Sequence, residues 1–538
     1  MRDKKIVIWG PGKIGRGFIA HLFADAGYQI VFVHHSKLKV EQLRAAGRYP
    51  IILARGEDRQ RQIIIDGYAA YATSEADAVA RKVASTDLLA VTVHPVAFPE
   101  VVRDLVPGLL RRSNERPNAP LDILLCTNVM HPAPQFRTLL EEAVPAEGRD
   151  YVRERVGLVE TLVICMAPEP PPKLLARDPL TVVTDGYPEL PVARDAFRGP
   201  IPQVCGLKPV TDMHAEEVRK IYTYNMTHAV LAYLGARRGY SQVVDCIRDS
   251  EIRGVTAGAL DEISAALQAE FGFSPDEMAR WNETVLRRME NPALRDQVSR
   301  VGGDPVRKLQ REDRLVGPAL LARKHGIIPH NIAHSIATAL RFRNPEDASA
   351  VRVSEVVAEK GPEAAIRQLC GLTDAESDLI TLILTAYGRL AEEDEWARRA
   401  DEAYRLGFEY EQMYKGCGQC ALAAILDAMS RPNNDLFQAA TAFSGGIGLA
   451  GDGVCAALMG SVLTFGYFIG RRRDHFDGDR EAKYRTFAMA QELRERYLAK
   501  YGSLICADVH ERLFGRAFDL RDPDEREMFE AAGAHVDK

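Results

Sequence analysis

The chain has 538 residues, of which 46% are hydrophobic and 27% are charged, and its formal net charge is −6. This length exceeds what a single hydrophobic core accommodates, so about three or four domains are expected. The composition is that of an ordinary globular protein, and the lack of a basic excess argues against nucleic acid as a partner, because phosphate binding needs a basic face.

The first 205 residues alternate short apolar runs with segments of helical periodicity. The runs that we predict as strands are KIVIWG, QIVFVHH, TDLLAVTVHP, LDILLCTN and RVGLVETLV. This alternation is typical of a parallel sheet covered by helices, and it predicts a Rossmann-like α/β domain over residues 1–205. The N-terminal sequence MRDKKIVIWG enters the first strand without an apolar stretch of signal-peptide length, so we expect a cytoplasmic protein.

A glycine-rich loop follows the first predicted strand. Gly10, Gly12 and Gly15 form a G-x-G-x-x-G motif in the segment GPGKIGRG, which also contains Lys13 and Ile14. Such glycines permit a tight turn, let the backbone approach a pyrophosphate, and let the following helix pack on the strand. The helix N-terminus then offers N–H groups to the phosphates. The motif therefore predicts a dinucleotide site that includes these five residues.

The end of the second predicted strand departs from the usual dinucleotide pattern. An acidic residue that binds the ribose is expected about 20 residues beyond the loop, but His34 occupies that position. The next residues, His35, Ser36 and Lys37, add donors and a positive charge. A cationic strand end suits the 2′-phosphate of NADP, whereas an acid would repel it. We therefore expect NADP to be somewhat preferred over NAD, with His34, Ser36 and Lys37 near the cofactor; a solvated strand end beside bound NAD is the alternative.

Residues 206–392 read as consecutive helices, which predicts an all-α substrate domain. In VRKIYTYNMTHAVLAYLG, Lys220, Asn225 and His228 lie on one predicted helix. At about 100° per residue, the three side chains line one broad helix face. A lysine with a lowered pKa is a suitable general acid/base, and Asn and His can stabilise a developing alkoxide. On spacing alone, an ordinary polar helix face explains the same residues.

A second pair of polar residues lies on a later predicted helix. His330 and His334 are four residues apart, a spacing that permits metal binding. No acidic or cysteine partner is placed beside them in the sequence. The sequence therefore does not favour a metal at this position.

Four segments carry a family resemblance: GPGKIGRGFIAHLFADAGYQIVF, CTN, RKIYTYNMTHAVLAYLG and ENPALRDQVSRVGGDPVRKLQREDRL. Over about residues 1–392 they resemble the long-chain polyol, or mannitol, dehydrogenases, and within them the mannitol-1-phosphate 5-dehydrogenases. The resemblance implies a metal-free NAD(P)-dependent oxidoreductase acting on a sugar alcohol or sugar phosphate, such as the pair mannitol 1-phosphate and fructose 6-phosphate. It implies that Lys220 takes the hydroxyl proton, with Asn225, His228 and Asn128 of CTN beside it.

The chain departs from that family where cofactor and substrate should meet. Besides His34, the departures are His94 for a glycine, Thr127 for an acid, Ile164 and Cys165 for an Asp-Arg pair, and Gly303 for an arginine. The lost arginines weaken the case for a phosphorylated substrate, although Arg300, Arg307 and Lys308 remain as candidate substrate-binding cations, together with Arg314. Two alternatives stay open: a dehydrogenase for an unphosphorylated acid such as a hexuronate, and a non-catalytic nucleotide-binding redox sensor.

One apolar segment has nearly the length of a membrane span. Residues 453–470, GVCAALMGSVLTFGYFIG, contain 18 uncharged residues, close to the lower limit for crossing a bilayer. Gly466 and Gly470, four apart, equally suit a helix that packs closely against another inside a protein. Since no second segment of this kind exists in the sequence, we predict no membrane association.

The chain contains nine cysteines, four of which lie in its last quarter at Cys417, Cys420, Cys455 and Cys506. Without an export signal they are expected to be reduced. A C-x-x-C at a helix start predicts a reactive dithiol with a thiol partner, a bound metal or iron–sulfur centre is the second possibility, and buried structural cysteines are the third. Residues 405–515 resemble a family of redox-active proteins with a Gly-Cys-Ala-x-x-Gly motif, here CAALMG. We predict a mainly helical cysteine-containing domain over residues 393–538.

Overall fold

A computed structural model describes residues 4–55, 60–127, 129 and 131–535. The chain divides into two compact units, Met1–Tyr387 and Gly388–Lys538. The strands of the described residues all lie in the first unit. They are β1 (Lys5–Trp9), β2 (Gln29–His34), β3 (Arg48–Ala54), β4 (Gln60–Asp66), β5 (Ala69–Ala72), β6 (Leu88–Val91), β7 (Leu121–Leu125), β8 (Val156–Glu160), β9 (Val182–Thr184), β10 (Leu190–Ala193) and β11 (Leu207–Val210).

The central sheet has six parallel strands in the order β5-β2-β1-β6-β7-β8. Ile6 and Ile8 of β1 belong to the apolar core on one face, and Val7 and Trp9 belong to the core on the other. A strand buried on both faces reads as a continuous apolar run, which is why this sheet was recognisable in the sequence. The strand order reverses between β1 and β6, and ligands of open α/β sheets bind outside the carboxyl ends of the strands at such a point.

Among the described residues, seven α-helices accompany the strands of the first unit. They are α1 (Ala20–Asp25), α2 (Lys37–Ala46), α3 (Ala76–Ser85), α4 (Phe98–Glu115), α5 (Pro132–Ala143), α6 (Ala146–Arg155) and α7 (Pro172–Arg177). The predicted parallel sheet with helical cover is thus confirmed. The short strands outside the central sheet were not predicted: β3 pairs antiparallel with β4 and parallel with β9, and β10 pairs in parallel with β11.

The helical part of the first unit begins at Met213, because residues 207–210, predicted as helical, instead form β11 against β10. Its helices are α8 (Met213–Lys220), α9 (Met226–Arg237), α10 (Val243–Arg248), α11 (Ser250–Phe271), α12 (Pro275–Met289), α13 (Val298–Gly302), α14 (Pro305–Lys308), α15 (Val316–Lys324), α16 (His330–Leu340), α17 (Ala348–Cys370) and α18 (Ser377–Tyr414). The last of these continues into the second unit. Apart from β11, the prediction of an all-α region is confirmed.

The second unit is helical. After the end of α18 it contains α19 (Cys417–Ala428), α20 (Asn434–Ala439), α21 (Ala456–Ile469), α22 (Arg480–Tyr501), α23 (Cys506–Phe514) and α24 (Pro523–Ala531). A Cβ added to Gly460 would lie 2.2 Å from the carbonyl oxygen of Gly418, so this glycine lets α21 approach the start of α19 closely. The apolar segment 453–470 forms the 14-residue α21, and within the described residues no helix is long and apolar enough to cross a membrane.

Candidate active site

The glycine loop lies between the carboxyl ends of β1 and β6. Gly10 has φ +89°, and an added Cβ would lie 2.5 Å from Cγ1 of Val93. A Cβ at Gly15 would lie 2.6 Å from the carbonyl oxygen of Gly10, whereas at Gly12 the nearest heavy atom would be 3.9 Å away. Gly10 and Gly15 are thus required by internal packing, and Gly12 leaves the outside of the loop open. This is the division of roles that an approaching pyrophosphate requires.

Lys13 and Ile14 have different surroundings within the loop. The Nζ of Lys13 lies 3.1 Å from Oε2 of Glu169, and the lysine side chain is half exposed. Ile14 packs against the apolar core beneath the sheet. Directly after them, Gly15–Ile19 form a π-helical turn that precedes α1. Lys13 remains a candidate phosphate ligand, although its charge already has an acidic partner.

The end of β2 is less cationic than its sequence indicates. Nδ1 of His34 accepts a hydrogen bond of 2.9 Å from the backbone N–H of Ser36, and burial together with His35 and Lys39 lowers the pKa of His34 to about 4. His34 is therefore neutral near pH 7. The hydroxyl of Ser36 accepts from the N–H of Lys39 and caps α2. The positive charge at this strand end comes from Lys37, which is 79% exposed, and from Lys39.

Lys220 is the last residue of α8 and is only 9% exposed. Burial, followed by the nearby guanidinium groups of Arg314 and Arg288, lowers the pKa of Lys220 to about 8, while Glu217 opposes the shift. A buried lysine that titrates close to neutrality is suited to accept and return a proton. The structure thus gives Lys220 the electrostatic surroundings of a general acid/base.

Lys220, Asn225 and His228 do not lie on a regular α-helix. The residues between α8 and α9, Ile221–Asn225, form a π-helical turn, so an angle of 100° per residue does not apply across it. Asn225 is half-buried at the end of this turn. Nε2 of His228 lies 3.2 Å from Oδ2 of Asp296, and its ring meets that of Tyr224 edge to face. His228 is therefore oriented by Asp296, a partner that the sequence did not reveal.

Arg288, near the end of α12, was missed by the sequence analysis. It is 8% exposed, forms an ion pair with Asp185, and donates from Nη2 to the carbonyl oxygen of Ile164 at 2.7 Å. Its guanidinium lies 4.6 and 4.5 Å from the ring centres of Tyr187 and Tyr224. Within the described residues, Nε and Nη1 have no hydrogen-bond partner. An arginine thus contacts the segment of Ile164 and Cys165, where the resembled family carries its own Asp-Arg pair.

The predicted substrate cations differ in burial. Arg300 is 65% exposed and pairs with Asp296, and half-exposed Arg307 pairs with Asp304 and Asp313. Lys308 is 4% exposed, and burial followed by the charge of Arg314 lowers the pKa of Lys308 to about 8. Arg314 thus acts electrostatically on both buried lysines. We call Lys220, Arg288, Lys308 and Arg314 the cationic cluster, because Arg314 acts electrostatically on both lysines and Arg288 acts on Lys220. Arg300 and Arg307 are more exposed, although Arg307 also lowers the pKa of Lys308.

The remaining predicted site residues lie near the ends of β6 and β7. Asn128 lies outside the described residues. Thr127 is buried, and its hydroxyl has no partner within the described part of the chain. His94 caps a short 3₁₀ turn through a long contact of 3.5 Å from the N–H of Val96. The replacement of an acid by Thr127 therefore places an unpaired hydroxyl beside the open end of the sheet.

The four C-terminal cysteines lie at helix starts. Cys417 and Cys506 begin α19 and α23, and Cys455 precedes α21. Burial, with added contributions from Glu411 and Cys417, raises the pKa of Cys420 to about 12, which is opposite to the activation predicted for the C-x-x-C. Sγ of Cys506 lies 3.6 Å from Nε2 of His510. In the described residues the four cysteines form neither a disulfide nor a metal-ligand cluster.

The fold and the loop geometry define a dinucleotide-binding protein with a helical domain that supplies a buried lysine. Residues 4–205 match the family model described as the mannitol dehydrogenase Rossmann domain, and residues 212–403 match the mannitol dehydrogenase C-terminal domain. Together the two models cover well over half of the chain, which therefore belongs to the mannitol dehydrogenase family. Residues 416–532 match a third model, described as "Putative redox-active protein (C_GCAxxG_C_C)".

Solved structures share this fold. A D-sorbitol dehydrogenase in substrate-free form is 18% identical, with a TM-score of 0.63 over 73% of this chain and 94% of its own. The Pseudomonas fluorescens mannitol 2-dehydrogenase, in a ternary complex with NAD and D-mannitol, is 16% identical, with a TM-score of 0.54 over 72% of this chain and 92% of its own. At these identities the similarity establishes the fold of the first unit.

Proposed function

We propose that the chain is a nicotinamide-dependent oxidoreductase that interconverts a polyol phosphate and a ketose phosphate, of the type mannitol 1-phosphate and fructose 6-phosphate. The observation that carries this proposal concerns Lys220 in the mannitol dehydrogenase C-terminal domain. This lysine is buried, belongs to the cationic cluster and has a pKa of about 8. The membership in the mannitol dehydrogenase family supports the reaction class, and the NAD complex of a structural relative supports the cofactor class.

The described residues fit a dinucleotide. The open face at Gly12, the N–H groups that follow it, and the strand end at Lys37 would hold the pyrophosphate and the adenosine ribose. A bound nicotinamide supplies the hydride acceptor in polyol oxidation. Lys220 takes the hydroxyl proton at Nζ, and Asn225 donates to the oxygen as its negative charge develops. We infer the same task for His228, whose Nε2 lies 3.2 Å from Oδ2 of Asp296.

The charge of the cationic cluster favours an anionic substrate. Lys220, Arg288 and Lys308 are all buried, and Arg314 is largely so, whereas Asp185 and Asp313 are the acids paired directly with the two arginines. Buried guanidinium donors without partners recognise phosphate or carboxylate well. A hexuronate-type substrate would use the same donors.

The test compares kcat/KM for fructose 6-phosphate, fructose and fructuronate. Highest efficiency with the phosphate is expected; a preference for neutral fructose would contradict the proposal.

The activity is expected to change with pH in opposite senses for the two directions. In polyol oxidation the neutral amine of Lys220 must accept a proton, so kcat should rise with pH through about 8. In ketose reduction the ammonium must donate, so kcat should fall as the pH passes through the same value. Rate profiles between pH 6 and 10 in both directions measure this. If kcat rose with pH in both directions, or fell with pH in both directions, the result would contradict the role of Lys220.

Cofactor preference is expected to depend on Lys37. Because His34 is neutral, the cations at the end of β2 are Lys37 and Lys39. Lys37→Glu should raise the KM for NADPH about 10-fold or more and leave that for NADH nearly unchanged, since only NADPH carries the 2′-phosphate. Lys82→Glu, on the third helix of the unit, serves as the control for an altered surface charge. Equal changes in the KM for NADPH and the KM for NADH would show that Lys37 does not bind the 2′-phosphate.

A second candidate function is a non-catalytic redox sensor that binds a nucleotide. It is favoured by Cys506 at the start of α23 beside His510, an arrangement that can activate a thiol, and by the third family match. Its test is the oxidation of the purified full chain by a disulfide such as oxidised glutathione, read by mass spectrometry with and without NADP. Nucleotide-dependent oxidation of Cys506 in a protein without dehydrogenase turnover would favour the sensor; unreactive C-terminal thiols would rule it out.

A further inference from the structure

Three potential metal ligands that are not part of the cationic cluster lie close together, two of them on α8. His214 and Glu217 lie three residues apart on that helix, and His131 immediately precedes α5. One ligand atom from each of the three side chains lies within 4.8 Å of the other two, and no other group of three or more such ligands is found among the described residues. Because His131 and His214 are 83 positions apart in the chain, no sequence motif announces this group.

The burial of the three side chains differs in a way that suits a ligand set. Glu217 is 3% exposed, and its Oε2 is buried without a hydrogen-bond partner in the described structure. Leaving a carboxylate oxygen buried and unsatisfied is costly, so the site has an unmet demand for a cation or a donor. Both histidines are exposed, and their rings lie nearly parallel with centres 5.6 Å apart. The exposed rings provide an entry path from solvent.

The local charge also favours a cation. Nδ1 of His131 lies 3.8 Å from Oε2 of Glu160 and 3.9 Å from Oε2 of Glu217, so neither carboxylate is within hydrogen-bond distance of the imidazole. Glu160 uses its other oxygen to accept from the N–H of Ala133 at 3.2 Å. Two carboxylates therefore face one imidazole that satisfies neither of them fully. A divalent ion among these groups would balance their charge.

We propose that His131, His214 and Glu217 bind a divalent transition-metal ion, of which Zn²⁺ is the best match. Two imidazoles and one carboxylate form a common protein ligand set for zinc, with water in the fourth position. Ligand atoms about 2.0–2.2 Å from a tetrahedral ion lie about 3.4 Å apart, so the ligand atoms of these residues approach one another by up to about 1.4 Å on binding. Rotation of two exposed side chains accommodates this change. The proposal assigns the ion no role in hydride transfer, although its ligand Glu217 acts electrostatically on Lys220.

The test uses the full chain, freed of metal by a chelator and kept reduced, and titrated with Co²⁺ as a spectroscopic probe for the zinc site. One Co²⁺ per chain is expected, with d–d absorption and without the thiolate-to-cobalt charge-transfer band that cysteine ligands produce. Competition with Zn²⁺ should displace it. His214→Asn and His131→Asn should each weaken the affinity by more than the roughly 10- to 100-fold that loss of an outer-shell partner costs.

His330→Asn is the matched control, because His330 is also an exposed histidine at the start of a helix of the same unit. It should bind Co²⁺ like the wild type. As a second readout, saturating Zn²⁺ should raise the unfolding temperature of the wild type and of His330→Asn but not of His214→Asn. A Co²⁺ spectrum dominated by thiolate charge transfer, or unchanged affinity in both His131 and His214 variants, would overturn the proposal. Both readouts are independent of dehydrogenase turnover.

Discussion

Replacing Lys220 by alanine is expected to lower turnover by about 100- to 10,000-fold, the range that general acid–base catalysis contributes. The loss should affect both directions of the reaction, because the same amine accepts the proton in oxidation and returns it in reduction. Cofactor binding should remain, since the glycine loop and the end of β2 are built from other elements. Steady-state rates in both directions, with the cofactor affinity measured by fluorescence titration, test this.

The control for this variant is Lys208→Ala. Lys208 lies in β11, is 42% exposed, and its Nζ is 3.9 Å from Glu216, so its removal takes a lysine from the same unit without touching the cationic cluster. Its turnover should stay within about twofold of the wild type, as is usual for surface substitutions. A Lys220→Met variant retains the buried methylene chain and distinguishes lost chemistry from lost packing. Normal turnover of the Lys220 variants would end the proposed mechanism.

Replacing Arg288 by methionine is expected to separate anionic from neutral substrates. Hydrogen bonds to charged groups contribute about 1.5–3 kcal/mol, so kcat/KM for a phosphorylated ketose should fall about 10- to 150-fold and that for a neutral ketose much less. The variant should also lose about 3–5 kcal/mol of stability, because Asp185 is left buried without its partner. Substrate kinetics and urea unfolding measure the two effects separately.

Arg287→Met is the matched control, since Arg287 is the exposed neighbour of Arg288 on the same helix. It should change neither stability nor substrate preference. In the double variant Arg288→Met with Asp185→Asn, stability should recover in part while the preference for the anionic substrate stays lost. An equal loss of efficiency for phosphorylated and neutral ketoses would show that Arg288 is structural and that the anion is bound elsewhere.

The parts of the fold that depend on local pattern were predictable from the sequence. The central sheet was recognised because strands buried on both faces read as apolar runs, and the loop at Gly10 because a tight turn at φ +89° calls for glycine. Strands β3 and β4, which pair locally as an antiparallel hairpin, were not predicted. Strand β9 was missed because it pairs with β3, more than 100 residues away in the sequence. The local sequence of such strands does not indicate which distant segment completes the sheet.

The candidate site was only partly predictable, because much of it depends on tertiary neighbours. Lys220 was found through family resemblance, but its lowered pKa comes first from burial and then from Arg314 and Arg288, which are distant in sequence. Arg287 and Arg288 are adjacent in the sequence LRRMENP, and only the tertiary structure shows that Arg288 is buried. The pKa of His34 is lowered first by burial, which the local sequence does not reveal, and then by the charges of His35 and Lys39.

The central claim is that this chain transfers hydride between a nicotinamide cofactor and a ketose phosphate. The most direct measurement follows the absorbance of NADPH and of NADH with thiol-reduced, full-length protein and fructose 6-phosphate. The account predicts that cofactor is consumed, with NADPH used in preference to NADH, and that the rate falls as the pH rises through about 8. Failure of fructose 6-phosphate to support oxidation of either cofactor would contradict it.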